Sequence, residues 1–522
     1  MARHMRSLIC AMAVLVELMA IEGAAQTTVT EKIKGISYAA WWPGDYSKPD
    51  ADLALGKLAA TGAKDVSIIV TQYQPTIDST TIAPAASTPT DEDVTHAIRM
   101  AKNLGLRVLL KPHVDLSADP THWRGQIGTN FDETQWAQWF ASYQSFILHY
   151  AQIAAAENVE RFCVGTELLA SRPRASQWRS VIAAVRSVFP GELVYAANFD
   201  PHPADISWWD AVDYIGIDAY YPLSTKDDPT TAELAAAWAA IVPQLNTLAT
   251  SWTKPIVFTE IGYRSLDGAN KHPWDWQIAG SWDLQEQKEC YEAAFQAVWN
   301  QPWFAGMYWW SWETELLQGG PCDTGYTPAD KPAEDVVRQW YGGPPDSDPP
   351  LPTPNPAQQL PLFDEGLPAG WENWSWGTTS VNFTATDQVT SGSTSISAVL
   401  MPWGGLHLHG PNISTNGFSY LEFYARKAAG AQSFRVLLFD DNAQALRRVR
   451  LEDCRYTAGT PIDVEQWTLV RVPLEHLDAV NRTISGIAFQ NWSDSSAQIW
   501  VDAARLIGGT PVPVVVSLLE IE

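Results

Sequence analysis

Short apolar runs recur eight times between Lys34 and Trp340, all but the fifth followed by a helical pattern, and this alternation constrains the fold more than any other feature. The runs are Lys34–Tyr38, Asp65–Val70, Arg107–Lys111, Arg161–Thr166, Leu193–Ala197, Tyr214–Asp218, Ile256–Thr259 and Ala305–Trp310. The intervening patterns predict helices over Ala51–Ala60, Asp91–Leu104, Trp136–Ala156, Gln177–Val188, Ala232–Leu248, Leu284–Trp299 and Ala333–Trp340, with only a short turn around Ile206–Val212 after the fifth run. In the third, Trp136, Trp139, Phe140, Tyr143, Phe146, Ile147 and Tyr150 fall at three- and four-residue steps, which is one apolar helical face. Nearly continuous apolar strands are buried on both sides, so the segment is expected to be an α/β (β/α)8 TIM barrel. An open doubly wound sheet is the alternative, weakened by the lack of a glycine-rich phosphate loop after an early strand.

The character changes after Gly343. Residues 344–361 carry eight prolines, which favour extended geometry and predict a semi-rigid linker. From 362 to 510 alternating stretches (Tyr420–Ala425, Phe434–Phe439, Thr468–Val472, Gly486–Phe489, Gln498–Leu506) are divided by Gly, Asn and Asp, which predicts an all-β jelly-roll sandwich. Residues 511–522 form an apolar tail without assignment. At the other end, Arg3 and Arg6 precede the apolar run Leu8–Ile21, and Gly23 and Ala25 follow it. That pattern predicts a signal peptide over 1–25, a barrel domain over 26–343, and a secreted protein, extracellular or periplasmic, with no membrane partner once mature. The apolar run is shorter than the roughly 20 residues a spanning helix needs.

A net charge of −25 opposes binding to phosphate backbones and excludes nucleic acid as a partner. Cys163, Cys290, Cys322 and Cys454 are far apart with no CxxC spacing, which leaves one disulfide open and names no pair; Cys163 lies in a predicted strand and Cys290 in a predicted helix, and both read as buried small hydrophobes. There is no HExxH and no GxSxG, and His113 with Asp115 lacks a second histidine at ligand spacing, so no metal and no cofactor is expected.

In a barrel the reactive groups sit at the C-terminal ends of strands. The fourth strand ends Gly165-Thr166-Glu167 and the seventh Thr259-Glu260-Ile261-Gly262, so two glutamates 93 residues apart can meet across the barrel mouth. Paired carboxylates are what glycosidic cleavage uses, one at the anomeric carbon and one protonating the leaving oxygen. Each glutamate taken alone could equally be a solvated strand-end residue. The other strand ends offer Trp41 and Trp42, Lys111 and His113, Asn198, Tyr220, and Trp310. Indoles match the C–H faces of pyranoses and the polar groups match their hydroxyls. Because side chains alternate along a strand, Trp310 rather than Trp309 is expected to face the pocket.

These residues resemble the retaining glycoside hydrolases of clan A, and most closely glycoside hydrolase family 113. The likeness rests on Lys34–Tyr38 with Trp41 and Trp42, on Gly165–Glu167, on Tyr214–Tyr220, on Thr259–Tyr263, and on Trp309-Trp310. It implies β-mannanase activity, with Glu167 as acid/base, Glu260 as nucleophile, Tyr220 hydrogen-bonded to Glu260, and Trp310 as the floor of the reacting subsite. Much of the clan carries asparagine immediately before the acid/base, where this chain has Thr166; Asn198 is a candidate substitute. The second domain resembles a carbohydrate-binding sandwich, with Trp371, Trp374, Trp376, Trp403 and Trp492 as a candidate platform. The expected function is hydrolysis of a β-1,4-linked polysaccharide, most closely β-mannan or glucomannan. The alternatives are a non-catalytic polysaccharide-binding protein, or the same chemistry on xylan or a glucosaminan.

Overall fold

The computed structural model describes residues 31–345, 351–429, 433–462 and 465–510. The expected signal peptide (1–25) and tail (511–522) lie outside the described residues. The chain divides into two units, one running to Pro345 and the other comprising residues from Asp346 onward together with Gly319–Asp323.

In the first unit, strands β1 (Ile33–Ala39), β2 (Asp65–Gln74), β3 (Arg107–Leu116), β4 (Arg161–Thr166), β5 (Glu192–Asn198), β6 (Tyr214–Asp218), β7 (Ile256–Ile261) and β8 (Phe304–Glu313) close into a barrel. Every neighbouring pair is parallel. The helices are α1 (Pro49–Ala60), α2 (Asp91–Asn103), α3 (Glu133–Ala156), α4 (Ala175–Val188), α5 (Thr231–Trp252), α6 (Leu284–Val298) and α7 (Pro332–Tyr341). Only 3-10 turns at Pro203–Asp205 and Trp209–Ala211 join β5 to β6, so this connection has no α-helix.

The aromatic stripe of α3 is buried along its length. Apolar side chains this large each contribute about 1.5–3 kcal/mol when taken from water. Capping boxes begin α2, α3 and α5 at Thr90, Asp132 and Thr230. Inside the barrel Ile33, Leu109, Cys163, Val194, Val257 and Tyr308 form a separate small core. Beneath it, buried Asp65 accepts hydrogen bonds from Arg107 and Arg161 at the start of the strands. That end of a barrel serves stability, which leaves the opposite end for chemistry.

The second unit is an antiparallel sheet domain of β9 (Thr353–Phe363), β10 (Glu372–Asn373), β11 (Trp376–Ala385), β12 (Ser395–Ser414), β13 (Tyr420–Lys427), β14 (Phe434–Asp440), β15 (Val449–Arg450), β16 (Thr468–Pro473), β17 (Thr483–Asn491) and β18 (Ala497–Thr510). The long β12 pairs with β18 through Ile396–Leu400 and with β17 through Gly405–Ser414. A strand that changes partner along its length turns a corner, and Phe423 on β13 meets Phe489 on β17 at 5.0 Å across the resulting core. The proline-rich run, expected as linker up to Pro361, becomes strand β9 from Thr353, paired with β18. Proline is tolerated there because β9 has a neighbour on one side only. A disulfide joins Cys322 to Cys454 with a Cα separation of 5.6 Å, while Cys163 and Cys290 are buried free thiols.

Candidate active site

Glu167 is the residue after β4, and its φ of 55° puts a non-glycine residue in the left-handed region. Such a conformation costs about 1–3 kcal/mol and persists where the surroundings enforce it. Here the Glu167 N–H donates to the Ala196 carbonyl at 2.8 Å, locking the turn. The strand register also shifts near the C-terminal ends of β4, β6 and β7. Irregularities of this kind re-aim side chains at barrel rims.

The structure brings together most of the residues the sequence singled out. Glu260 on β7 accepts from Lys111 Nζ at 2.5 Å through Oε1 and from the Tyr220 hydroxyl at 2.7 Å through Oε2. Lys111 also donates to Asp218 Oδ1 at 3.1 Å, and the Thr259 hydroxyl donates to the same oxygen at 2.7 Å. Asn198 Nδ2 donates to Glu167 Oε1 at 3.0 Å, so the side chain considered as a substitute for the missing asparagine does stand beside Glu167. Thr166 is buried, with its hydroxyl 3.6 Å from the Cys163 sulfur. Trp310 lies nearly parallel to the His113 ring, at 13° and 6.4 Å between centroids, with Trp41 at 6.3 Å. Trp309 is fully buried instead, stacked on Tyr291 of α6 at 3.7 Å. Trp42 is 59% exposed on the loop after β1.

Sequence reasoning did not single out Arg124. It comes from a 3-10 turn beyond β3 and donates to His113 Nδ1 and to Asp115 Oδ2, both at 2.8 Å, with Glu167 Oε2 4.0 Å away. Its only signal in sequence is a cation on a βα loop. Asp218 was noted as a strand end but not as a site residue, and its place beside Glu260 needs the β6–β7 register to be seen. Exposed Trp123, Trp274, Trp276 and Trp282 also lie on loops after β3 and β7.

The electrostatics separate the two glutamates. Burial, reinforced by the charge of Glu260, pushes Glu167 up to about 7, while Arg124 and Lys111 oppose the shift. Burial works against the charge on Lys111, but Asp218 and Glu260 more than offset it and hold the ammonium protonated. Burial first, and then Glu260, raise Asp218 well above the usual carboxylate range. Burial and the neighbouring Glu260 keep the Tyr220 phenol protonated, so it remains a donor. Burial, Arg124 and Lys111 depress His113 and keep it neutral. Because a guanidinium only donates, His113 Nδ1 must be the acceptor, and its proton sits on Nε2, 3.8 Å from Glu260 Oε1. The result is one carboxylate steadied by two donors and a second able to carry a proton near neutrality. An acid kept protonated near neutrality beside a carboxylate fixed by two donors suits divided acid and nucleophile roles.

The profile of glycoside hydrolase family 113 matches residues 38–331, and that of the expansin-like protein C-terminal domain matches residues 362–508. A solved family 113 β-1,4-mannanase is 28% identical, covers 60% of this chain and 100% of its own, and superposes with a TM-score of 0.55. The family 113 β-mannanase from Alicyclobacillus acidocaldarius, solved in complex with ManMIm, is 31% identical over 60% of this chain and 97% of its own, with a TM-score of 0.53. No curated protein matches the sequence. With its barrel matched along most of its length and two glutamates at the ends of β4 and β7, this chain belongs to glycoside hydrolase family 113.

Proposed function

We propose that the protein is an exported, retaining glycoside hydrolase that cleaves β-1,4-linked mannan or glucomannan. The observation that carries the mechanism is the contrast between Glu260, held by Lys111 and Tyr220, and Glu167, pushed up to about 7. Glu260 attacks C1 of the sugar while Glu167 gives its proton to the departing glycosidic oxygen, so the C1–O bond breaks as the glycosyl-enzyme ester forms. Glu167, now ionised, takes a proton from water, and the hydroxide oxygen attacks C1 and returns Glu260 as carboxylate. Two inversions leave the anomeric configuration unchanged. Trp310 and Trp41 offer apolar faces to the reacting pyranose, and Asn198 and His113 Nε2–H offer polar contacts to hydroxyls.

The mannan assignment is supported by the β-mannanase activity named for the similar structures. Export is supported by the sequence of residues 1–25 and by the Cys322–Cys454 disulfide, since such bonds persist in oxidising compartments. The test is reducing-sugar release from mannan, glucomannan, xylan, cellulose and chitosan, with Glu260→Ala as control, followed by proton NMR of the first anomer formed. Turnover of mannan or glucomannan with the β-anomer first, abolished in the variant, is the expected result. Turnover of another polymer alone overturns the substrate, and an α-anomer formed first overturns the double displacement.

A further inference from the structure

Asp218, the last residue of β6, is fully buried and has no part in the two-step reaction proposed above, yet it is one hydrogen bond away from the Lys111 that holds Glu260. The shifted register between β6 and β7 sets it level with Glu260. Its Oδ1 accepts from Lys111 Nζ at 3.1 Å and from the Thr259 hydroxyl at 2.7 Å. Its Oδ2 is shut away from solvent, and no donor among the described residues reaches it. Glu260 is served differently, with Lys111 covering one oxygen at 2.5 Å and Tyr220 the other at 2.7 Å.

Charge counting decides between the two acids. The titratable groups within electrostatic reach of Asp218 are Lys111 on β3, Cys163 on β4 and Glu167 after it, Tyr195 on β5, Tyr220 beyond β6, and Glu260 on β7. Burial keeps the Cys163 thiol and both phenols protonated, so Lys111 brings the one positive charge of this set. The next guanidinium, Arg124, is taken up by His113 and Asp115. One cation balances one carboxylate. A buried anionic oxygen without a donor is costly, whereas an anion with both oxygens bonded is tolerated. The proton therefore belongs on Asp218 Oδ2 and the negative charge on Glu260. Burial and the charge of Glu260 push Asp218 in the same direction.

We propose that Asp218 works as a neutral acid, a positioning residue that holds Lys111 against Glu260 without drawing off its charge. What this does for the reaction rests on the roles proposed above for Glu167 and Glu260. In the resting site the charges of Lys111 and Glu260 cancel. When Glu260 becomes an ester, Glu167 has passed its proton to the leaving oxygen. The negative charge thus moves from one glutamate to the other, and the total is unchanged. An ionised Asp218 would add a negative charge to both states and oppose the ionisation of Glu167 that the first step needs.

The first test does not depend on turnover. In the full chain carrying Glu167→Gln, with aspartate labelled by carbon-13 at its carboxyl, infrared spectra near neutrality should show a protonated-carboxyl band that Asp218→Asn removes. Equal spectra with and without that substitution overturn the proposal. The second test is kinetic, with Glu167 intact. Asp218→Ala leaves Lys111 unguided and should lower kcat on mannan about 10²-fold. Asparagine reproduces a neutral carboxyl, so Asp218→Asn should recover all but about threefold of that loss and leave the acid limb of the pH profile in place. If Asp218→Ala unfolds, the infrared band and the Asp218→Asn profile decide. Removing a charge from an ionised Asp218 would instead strengthen the hold of Lys111 on Glu260 and move the acid limb to lower pH. That shift overturns the proposal, as does a loss in Asp218→Asn as large as in Asp218→Ala. A chain that cuts none of the polymers yet shows the Asp218 band overturns the function proposed for the barrel and supports the neutral acid.

Discussion

Lys111 sets one buried ammonium 2.5 Å from Glu260 Oε1 and 3.1 Å from Asp218 Oδ1, so two carboxylates on neighbouring strands share a single cation. Lys111→Met removes that charge and leaves both acids facing each other in a buried site. Breaking a buried pair from one side costs about 3–5 kcal/mol, which urea unfolding at neutral pH will read.

In the proposed mechanism Glu167 must carry its proton for the first step and, at about 7, it loses it just above neutrality. kcat/KM should therefore fall on the alkaline side of about pH 7, near tenfold per pH unit. Glu167→Gln should lower kcat on polymer by about 10²–10⁴-fold. On an aryl glycoside whose leaving group needs no proton, the alkaline fall of the first step should be absent.

Arg124 favours the ionised form of Glu167, so Arg124→Ala should raise the Glu167 pKa and move the alkaline limb to higher pH. Removing it also frees His113 Nδ1, so kcat should fall at the same time. A pH–rate profile that keeps its alkaline limb in place would show that Arg124 does not act through the charge of Glu167.

The same shift makes a stability statement. The Glu167 pKa is raised on folding, so between pH 4.5 and about 7 the native chain binds more protons than the unfolded one. Stability contributed at this residue is therefore lost as pH rises through that window. Glu167→Gln should raise Tm more at pH 8 than at pH 4, as scanning calorimetry would show. About a fifth of the side chain is exposed, so solvent screening makes the gain smaller than the whole shift.

Two adjacent tryptophans should behave in opposite ways. Trp309→Ala empties a fully buried site stacked on Tyr291 and should cost about 3–5 kcal/mol of stability. Trp310→Ala should leave most of that stability and raise KM or lower kcat on the polymer. Chemical unfolding beside kinetics separates them.

The barrel was legible because a parallel strand buried on both faces writes itself as an apolar run, and Tyr214–Asp218 was delimited to the residue. Alternation also sorted Trp310 from Trp309 in advance. In the second unit, bounded at residue 362, strands were placed only from Tyr420 onward. Strand β12 contains Pro402, Gly404, Gly405, Gly410 and Pro411, which read as turns, yet Gly405 and Gly410 let indoles lie on the sheet. Strand β9 was hidden among prolines that an edge strand tolerates. Glu167 and Glu260 were found because strand ends are marked by the pattern. Arg124 was missed because a cation on a loop carries no period, and its contacts exist only once β3, β4 and the loop are in place.

Cys322 lies between β8 and α7, and its bond to Cys454 closes a ring across a sequence separation of 132. Since Gly319–Asp323 belongs to the second unit, the sulfur bridge lies within that unit, which is joined to the first through the peptide bonds flanking this segment as well as through the run after Tyr341. A protease that cuts among the prolines of 344–352 would nick the molecule without dividing it. Separation would require a reductant as well, so loss of the accessory unit depends on the redox poise of the surroundings and not on proteolysis alone.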